Sequence, residues 1–251
     1  MLQETLKLLR EAKLHSLASS FNRWCRNPAN LHKSHVECLH SLAVSVAAQK
    51  KTRRIDTFLR RARLSQTVAI ANVWTEASRG LTAGTLANLA TCTWVDEGTN
   101  LIIVGDHGTG KTFLAGALAR EAALTRHGVV YQVLSKLMDT SDVIDAAKLE
   151  KLVAPLRRAN LLVLDHVAED FIEEHQCTLL RDLLDERMRK GLSTIVVSSR
   201  PVEEWEIAFA NPDHAEAIIQ RITRQACTIR LRKEKPRKVL KRRGLKPAAS
   251  R

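Results

Sequence analysis

The sequence predicts an α/β protein of three layers, with a central parallel sheet covered by helices on both faces. A small all-helical domain precedes this unit and a basic tail follows it. Three observations carry the prediction. From about residue 100, short Leu-rich or β-branched runs alternate with helical stretches: LIIV at 101–104, VVYQVL at 129–134, LLVL at 161–164, STIVVSS at 193–199 and CTIRL at 227–231. Continuous apolar strands separated by helices indicate a parallel sheet buried on both faces and linked by right-handed crossovers. Before them, Leu2, Leu6, Leu9, Leu14 and Leu17 recur at helix-like spacing without any β pattern. Beyond them, residues 230–251 hold eleven Lys/Arg against the single acid Glu234, and so account for ten of the thirteen net positive charges. The expected domains are 1–80, helical; 81–231, α/β; and 232–251, a tail too polar to pack.

A chain of 251 residues can bury a full core. No apolar run approaches the ~18 residues of a membrane span, and the start MLQETLKLLREAKLHS has no secretory h-region. No membrane partner is therefore expected. Cys25, Cys38, Cys92, Cys177 and Cys227 are odd in number and scattered, which favours reduced thiols in a cytoplasmic protein. The spacing of Cys25, His32, His35, Cys38 and His40 matches no common zinc pattern.

Within the helical part, Pro28 with Asn27 and Asn30 marks a break, after which ECLHSLAVSVAAQK resumes as a helix. A basic cluster comes next, in which Lys50, Lys51, Arg53, Arg54, Arg60, Arg61 and Arg63 are opposed by Asp56 alone. On a helix, Arg53, Arg54, Arg60 and Arg61 share roughly one side. The stripe is either a contact for the phosphate backbone of double-stranded DNA or a solvated face. The tail poses the same choice, between a polyanion contact and a solubilising end.

Directly after the first strand comes Gly105-Asp106-His107-Gly108-Thr109-Gly110-Lys111-Thr112, and then the helical FLAGALAREAAL. This is the G-x-x-x-x-G-K-[ST] pattern in its confirming context, a strand before and a helix after. Glycines let backbone N–H groups curl around phosphates, and the helix N-terminus, with Phe113 in its first turn, adds its dipole. A nucleoside triphosphate is the expected ligand, with Lys111 on its β- and γ-phosphates and the Thr112 hydroxyl on Mg²⁺. Such a site needs a second strand whose end presents a carboxylate to the metal. LLVLD supplies Asp165 as the second metal residue. The strand at 193–199 ends in Ser198 and Ser199, where a polar tip can orient water or sense the γ-phosphate. Farther on, Arg221 and Arg224 lie one turn apart on AEAIIQRITRQA. They are either a surface pair or a source of an arginine acting on a neighbouring subunit's γ-phosphate.

Together these stretches resemble the IstB/DnaC-like AAA+ ATPases, in particular the IstB-type helpers of insertion-sequence transposition. The resemblance runs through TRRIDTFLRRARL, WVDEGTNLIIVGDHGTGKTFLAGALA, ANLLVLD and DLLDERMRKGLSTIVVSS. It ends with RPVEEWEIAFANPDHAEAIIQRITRQACTIRL. It implies a P-loop (AAA+) domain that binds ATP and Mg²⁺ between subunits and assembles as a ring or helical homo-oligomer on DNA. It also implies a DDE transposase as partner and a nucleoid-associated location in a bacterium. Carried over, Lys111, Thr112 and Asp165 keep their roles, Ser198 or Ser199 is the sensor, and Arg221 is the trans-acting arginine. A DnaC-like loader of a replicative helicase is the alternative, as is an ATP-binding scaffold without productive hydrolysis.

One departure from the family pattern falls at His166, where an acidic residue usually polarises the hydrolytic water. A neutral imidazole brings no negative charge, so slow hydrolysis with intact ATP-driven assembly is expected, unless Glu169 or Asp170 substitutes through a bent loop. The other is Arg200, at the strand end where relatives often carry Asn or Gln. With only thirty residues after Arg221, a full helical lid is not expected.

Overall fold

The computed structural model describes residues 1–125 and 127–233. Three helices open the chain: α1 (Leu2–Glu11), α2 (His15–Cys25) and, after a 3₁₀ turn at Pro28–Asn30, α3 (His35–Ala62). Leu6 and Ala18 are buried where they meet, and Ser20, Ser45 and Gln49 join α2 to α3 through hydrogen bonds of 2.9 Å to the Ser20 hydroxyl. The start of α3 is fixed by a capping box. Ser34 Oγ accepts the Glu37 N–H at 3.3 Å, and Glu37 Oε2 accepts the Ser34 N–H at 2.8 Å. Its end is fixed by Arg63 in the left-handed region at φ 55°. The break expected at Pro28 is present, and the run that resumes after it continues through the basic cluster as one helix.

The α/β part follows with α4 (Ala83–Ala90), α5 (Thr93–Asp96), β1 (Asn100–Val104), α6 (Lys111–Leu124) and β2 (Val129–Val133). It continues with α7 (Leu134–Val143), α8 (Ala146–Arg158), β3 (Leu161–Asp165), α9 (Glu174–Arg189), β4 (Ser193–Ser198), α10 (Pro212–Thr223) and β5 (Ala226–Arg230). Each strand lies within one residue of its predicted bounds. All pairings are parallel, in the order β2-β3-β4-β1-β5. Alternate strand residues feed two cores. Ile102, Leu162, Leu164 and Val196 pack against α7 to α10, whereas Leu101, Ile103, Val163 and Ile195 pack against α6 and the end of α3. This two-sided burial is why the strands read as unbroken apolar runs rather than alternating ones. Phe58 and Leu59 of α3 belong to the second core, so α3 begins in the small helical layer and ends against the sheet. The carboxyl ends of β1, β3 and β4 lie side by side, with β1 inserted between β4 and β5. That is a topological switch point, where open α/β sheets form a ligand crevice.

Among the described residues, no helix is long and apolar enough to cross a membrane. The basic tail predicted over 232–251 lies, from residue 234 onward, outside the described residues.

One buried cation ties the layers together. Arg187, 1% exposed, donates to Leu156 O at 2.6 Å, Ala159 O at 2.9 Å, Ser193 O at 2.5 Å and Thr194 Oγ1 at 3.1 Å. Burial lowers its pKa to about 10, which leaves it protonated at neutral pH. Replacing it by Met keeps the aliphatic stem and removes the donor from three carbonyls and from Thr194 Oγ1. Arg187→Met should cost about 3 kcal/mol in urea denaturation, and an unchanged midpoint would contradict the role assigned to this side chain.

Candidate functional site

The residues 105–110 leave β1 and enter α6 through backbone that only glycine adopts at low cost. Gly105 has φ 148° and Gly110 has φ 85°; a Cβ at Gly105 would strike Leu231 O, and one at Gly110 would meet Arg79 Nη2 at 2.7 Å. Arg79 also donates to Thr109 O and, at 2.7 Å, to Trp74 O, and its guanidinium lies 5.4 Å from the Trp74 ring centroid. The backbone of Arg79 closes the ring of contacts by accepting the Arg232 N–H at 2.9 Å. The segment before the sheet therefore holds the glycine loop from outside.

Inside the loop, the buried Lys111 donates from Nζ to Gly105 O at 2.6 Å and Asp106 O at 3.0 Å, leaving one of its three donors. Burial draws its pKa down, and the carboxylates of Glu169, Asp165 and Asp106, in that order, oppose the shift. Thr112 Oγ1 lies 3.4 Å from Asp165 Oδ1. Asp165 ends β3 and is 2% exposed. Its Oδ1 accepts the His166 N–H at 3.0 Å and its Oδ2 accepts the Tyr131 hydroxyl, whose pKa burial and the adjacent carboxylate both raise. Among the described residues its only ion-pair neighbour is the His166 imidazole, at 3.9 Å. His107, Gly108, Gly110, Lys111, Thr112, Phe113, Asp165 and His166 line one cavity of about 370 Å³. Leu64 and Val68, from just beyond α3, form its apolar wall.

After Asp165 the chain turns sharply. His166 and Ala168 take φ of 64° and 57°, conformations that cost a residue with a Cβ on the order of 1 kcal/mol each. Between them Val167 N donates to Val197 O at 2.9 Å, which pins the turn to β4. The turn returns Glu169 to the same cavity, while Asp170 lines the neighbouring one. Glu169 Oε2 accepts from His166 Nδ1 at 2.8 Å and Oε1 accepts the Ser199 N–H at 2.9 Å. Burial alone would raise its pKa, but His166 and the two Ser199 interactions hold it below the usual carboxylate range. Ser198 is fully buried, and its hydroxyl accepts the Arg200 N–H at 3.1 Å.

Arg221 is not at this cavity. It sits near the start of β1, where Asn100 Nδ2 donates to Arg221 O at 3.3 Å. Its guanidinium is engaged by both oxygens of Asp185, with Nη2 to Oδ2 at 3.0 Å. The basic stripe divides. Arg53, Arg54 and Arg61 line a groove of about 920 Å³ together with Lys50, facing Lys151 of α8 across the free edge of β2. Arg60 and Arg63 lie outside it, and no acidic side chain lines it among the described residues. Sequence reasoning missed Arg79, Tyr131 and Lys151.

A model of the family described as IstB-like ATP binding protein matches residues 7–244. An insertion-sequence ATP-binding protein of Sinorhizobium fredii is 29% identical over 241 residues, covering 96% of this chain and 98% of its own. The insertion sequence IS21 ATP-binding protein of Pseudomonas aeruginosa is 27% identical over 193 residues, 76% of this chain and 72% of its own. Among solved structures, DnaI superposes with a TM-score of 0.58 at 18% identity, over 67% of this chain and 94% of that one. The replication initiator DnaA bound to AMPPCP and single-stranded DNA gives 0.55 at 15% identity, over 68% and 51%. These structural likenesses establish the shared three-layer α/β fold, with its central parallel sheet. With the family model spanning nearly all of its length, the chain belongs to the IstB-like ATP binding protein family.

Proposed function

We propose that this protein is an ATP-dependent helper of transposition. It binds ATP with Mg²⁺, assembles with copies of itself on double-stranded DNA, and recruits and stimulates a DDE transposase. The observation that carries the nucleotide part is the meeting of Lys111, Thr112 and Asp165 in one cavity, on a chain of the IstB-like family. The residues suit the ligands. A buried carboxylate with no Lys or Arg at ion-pair distance among the described residues is costly by itself and suits a hard cation, and the Thr112 hydroxyl beside it is a second oxygen donor. Bound there, Mg²⁺ would offset charge on the β- and γ-phosphates. Backbone amides of Gly105, Asp106, His107, Gly108, Thr109 and Gly110 would cradle the phosphates, with the free donor of Lys111 beside them and Phe113 flanking the nucleotide.

The transposition part is supported by the insertion-sequence relatives. The DNA part is supported by charge: a groove with cations on both walls and no acid offers a phosphate backbone several contacts at once. In this reading Arg53, Arg54 and Arg61 act with Lys151, and Arg60 and Arg63 serve the outer surface. Arg221 acts on the nucleotide of a neighbouring copy, which requires its release from Asp185.

Two experiments test the reading. With a fluorescent ATP analogue, Lys111→Ala should lose about 10- to 100-fold in affinity, and Asp165→Asn should bind equally well with Mg²⁺ or with chelator. Wild-type affinity in both variants would contradict the assignment. For DNA, Arg53→Glu with Lys151→Glu should weaken binding of random duplex and flatten the log–log salt dependence by about two, while ATP affinity stays at the wild-type value. An unchanged salt slope would exclude the groove as the DNA contact.

A further inference from the structure

The loop after β3 holds a second carboxylate that the nucleotide cavity does not need for binding a metal. Glu169 is four residues beyond Asp165, its side chain is 14% exposed, and it lines the same cavity as Lys111 and Thr112. Both of its oxygens are fixed, one by the His166 imidazole at 2.8 Å and one by the Ser199 N–H at 2.9 Å. A carboxylate has about four lone-pair positions, so two remain to accept from water. Two left-handed residues and the Val167–Val197 hydrogen bond are what bring it there. Residue 166 carries no carboxylate in this chain; its imidazole instead holds one.

We propose that Glu169 is the catalytic residue that takes the proton from the water attacking ATP, and that His166 and Ser199 are the positioning residues that hold it. This rests on the ATP-binding reading above. As the water oxygen bonds to the γ-phosphorus, one water proton passes to a Glu169 oxygen. The bond from that phosphorus to the bridging oxygen breaks, and its electron pair leaves with ADP. The proton then passes from Glu169 to phosphate or solvent. A glutamate of ordinary pKa is already ionised at neutral pH, and the contacts from His166 and Ser199 shift Glu169 further in that direction. Asp170, the other acid of the turn, faces the neighbouring cavity and takes no part. Ser199 directly follows the last residue of β4, the strand beside β1, so the backbone that holds Glu169 is anchored to the sheet.

The test compares wild type, Glu169→Gln and the double variant His166→Glu with Glu169→Gln, by ATP-analogue affinity and by single-turnover hydrolysis with Mg²⁺. Glu169→Gln should keep its affinity within about threefold and lose about 10²- to 10³-fold in hydrolysis. The double variant, with a carboxylate restored at 166, should recover at least tenfold of that loss, which a merely structural defect would not allow. Wild type that binds ATP without hydrolysing it, or Glu169→Gln that hydrolyses as fast as wild type, would overturn this role and leave the binding assignment intact. Failure of the double variant to recover would overturn it too. Wild type that does not bind ATP would overturn both.

Discussion

The rest of the structure depends on a carboxylate driven out of the end of a fully buried strand. β3 is covered on both faces, so its direction and register are fixed by core packing, and Asp165 inherits that rigidity. A polar group in such a position is tolerated only when its lone pairs are used. Tyr131 from β2, Thr112 from α6 and the His166 amide each take one. These donors come from three separate elements, so satisfying one acid fixes the strand order, the entry of α6 and the turn that follows. The same arrangement leaves this buried carboxylate with no lysine or arginine at ion-pair distance among the described residues, a setting that suits a divalent cation.

The glycine loop is constrained from outside by a different device. Arg79 comes from the segment before α4, donates to the Thr109 carbonyl, and stacks on Trp74, while its own carbonyl accepts from Arg232 beyond β5. The glycine loop is thus tied to both flanks of the sheet domain. With α3 packed on α6, the helical layer is mechanically continuous with the loop that would hold nucleotide.

Much of this was legible in the sequence, for identifiable reasons. Buried parallel strands impose unbroken apolar runs, so LIIV and LLVL announced their positions, and the glycine spacing with Lys111 announced the loop between them. What escaped depends on strand order and on backbone handedness. Tyr131 meets Asp165 only because β2 and β3 are neighbours, a fact that no local pattern encodes. Its signal was a lone tyrosine inside an apolar run. Lys151 joins the α3 stripe only because the edge of β2 leaves a groove between α3 and α8, and that same geometry excludes Arg60. Sequence alone offers Glu169 and Asp170 alike as substitutes for the residue at 166, and the left-handed turns at His166 and Ala168 separate the two. Helix-face reasoning placed Arg53, Arg54, Arg60 and Arg61 together because a stripe on one helix says nothing of what the helix faces.

The central claim is that Thr112 and Asp165 form a metal position beside a nucleotide held by the glycine loop, with Glu169 facing it. Crystals grown with a non-hydrolysable ATP analogue and Mn²⁺ test this most directly, through the anomalous signal of the manganese. A single strong peak is expected between the analogue's phosphates and the Thr112 and Asp165 oxygens, with Glu169 left outside the metal's coordination shell. A peak on Glu169, or an analogue bound without any peak near Asp165, would contradict it.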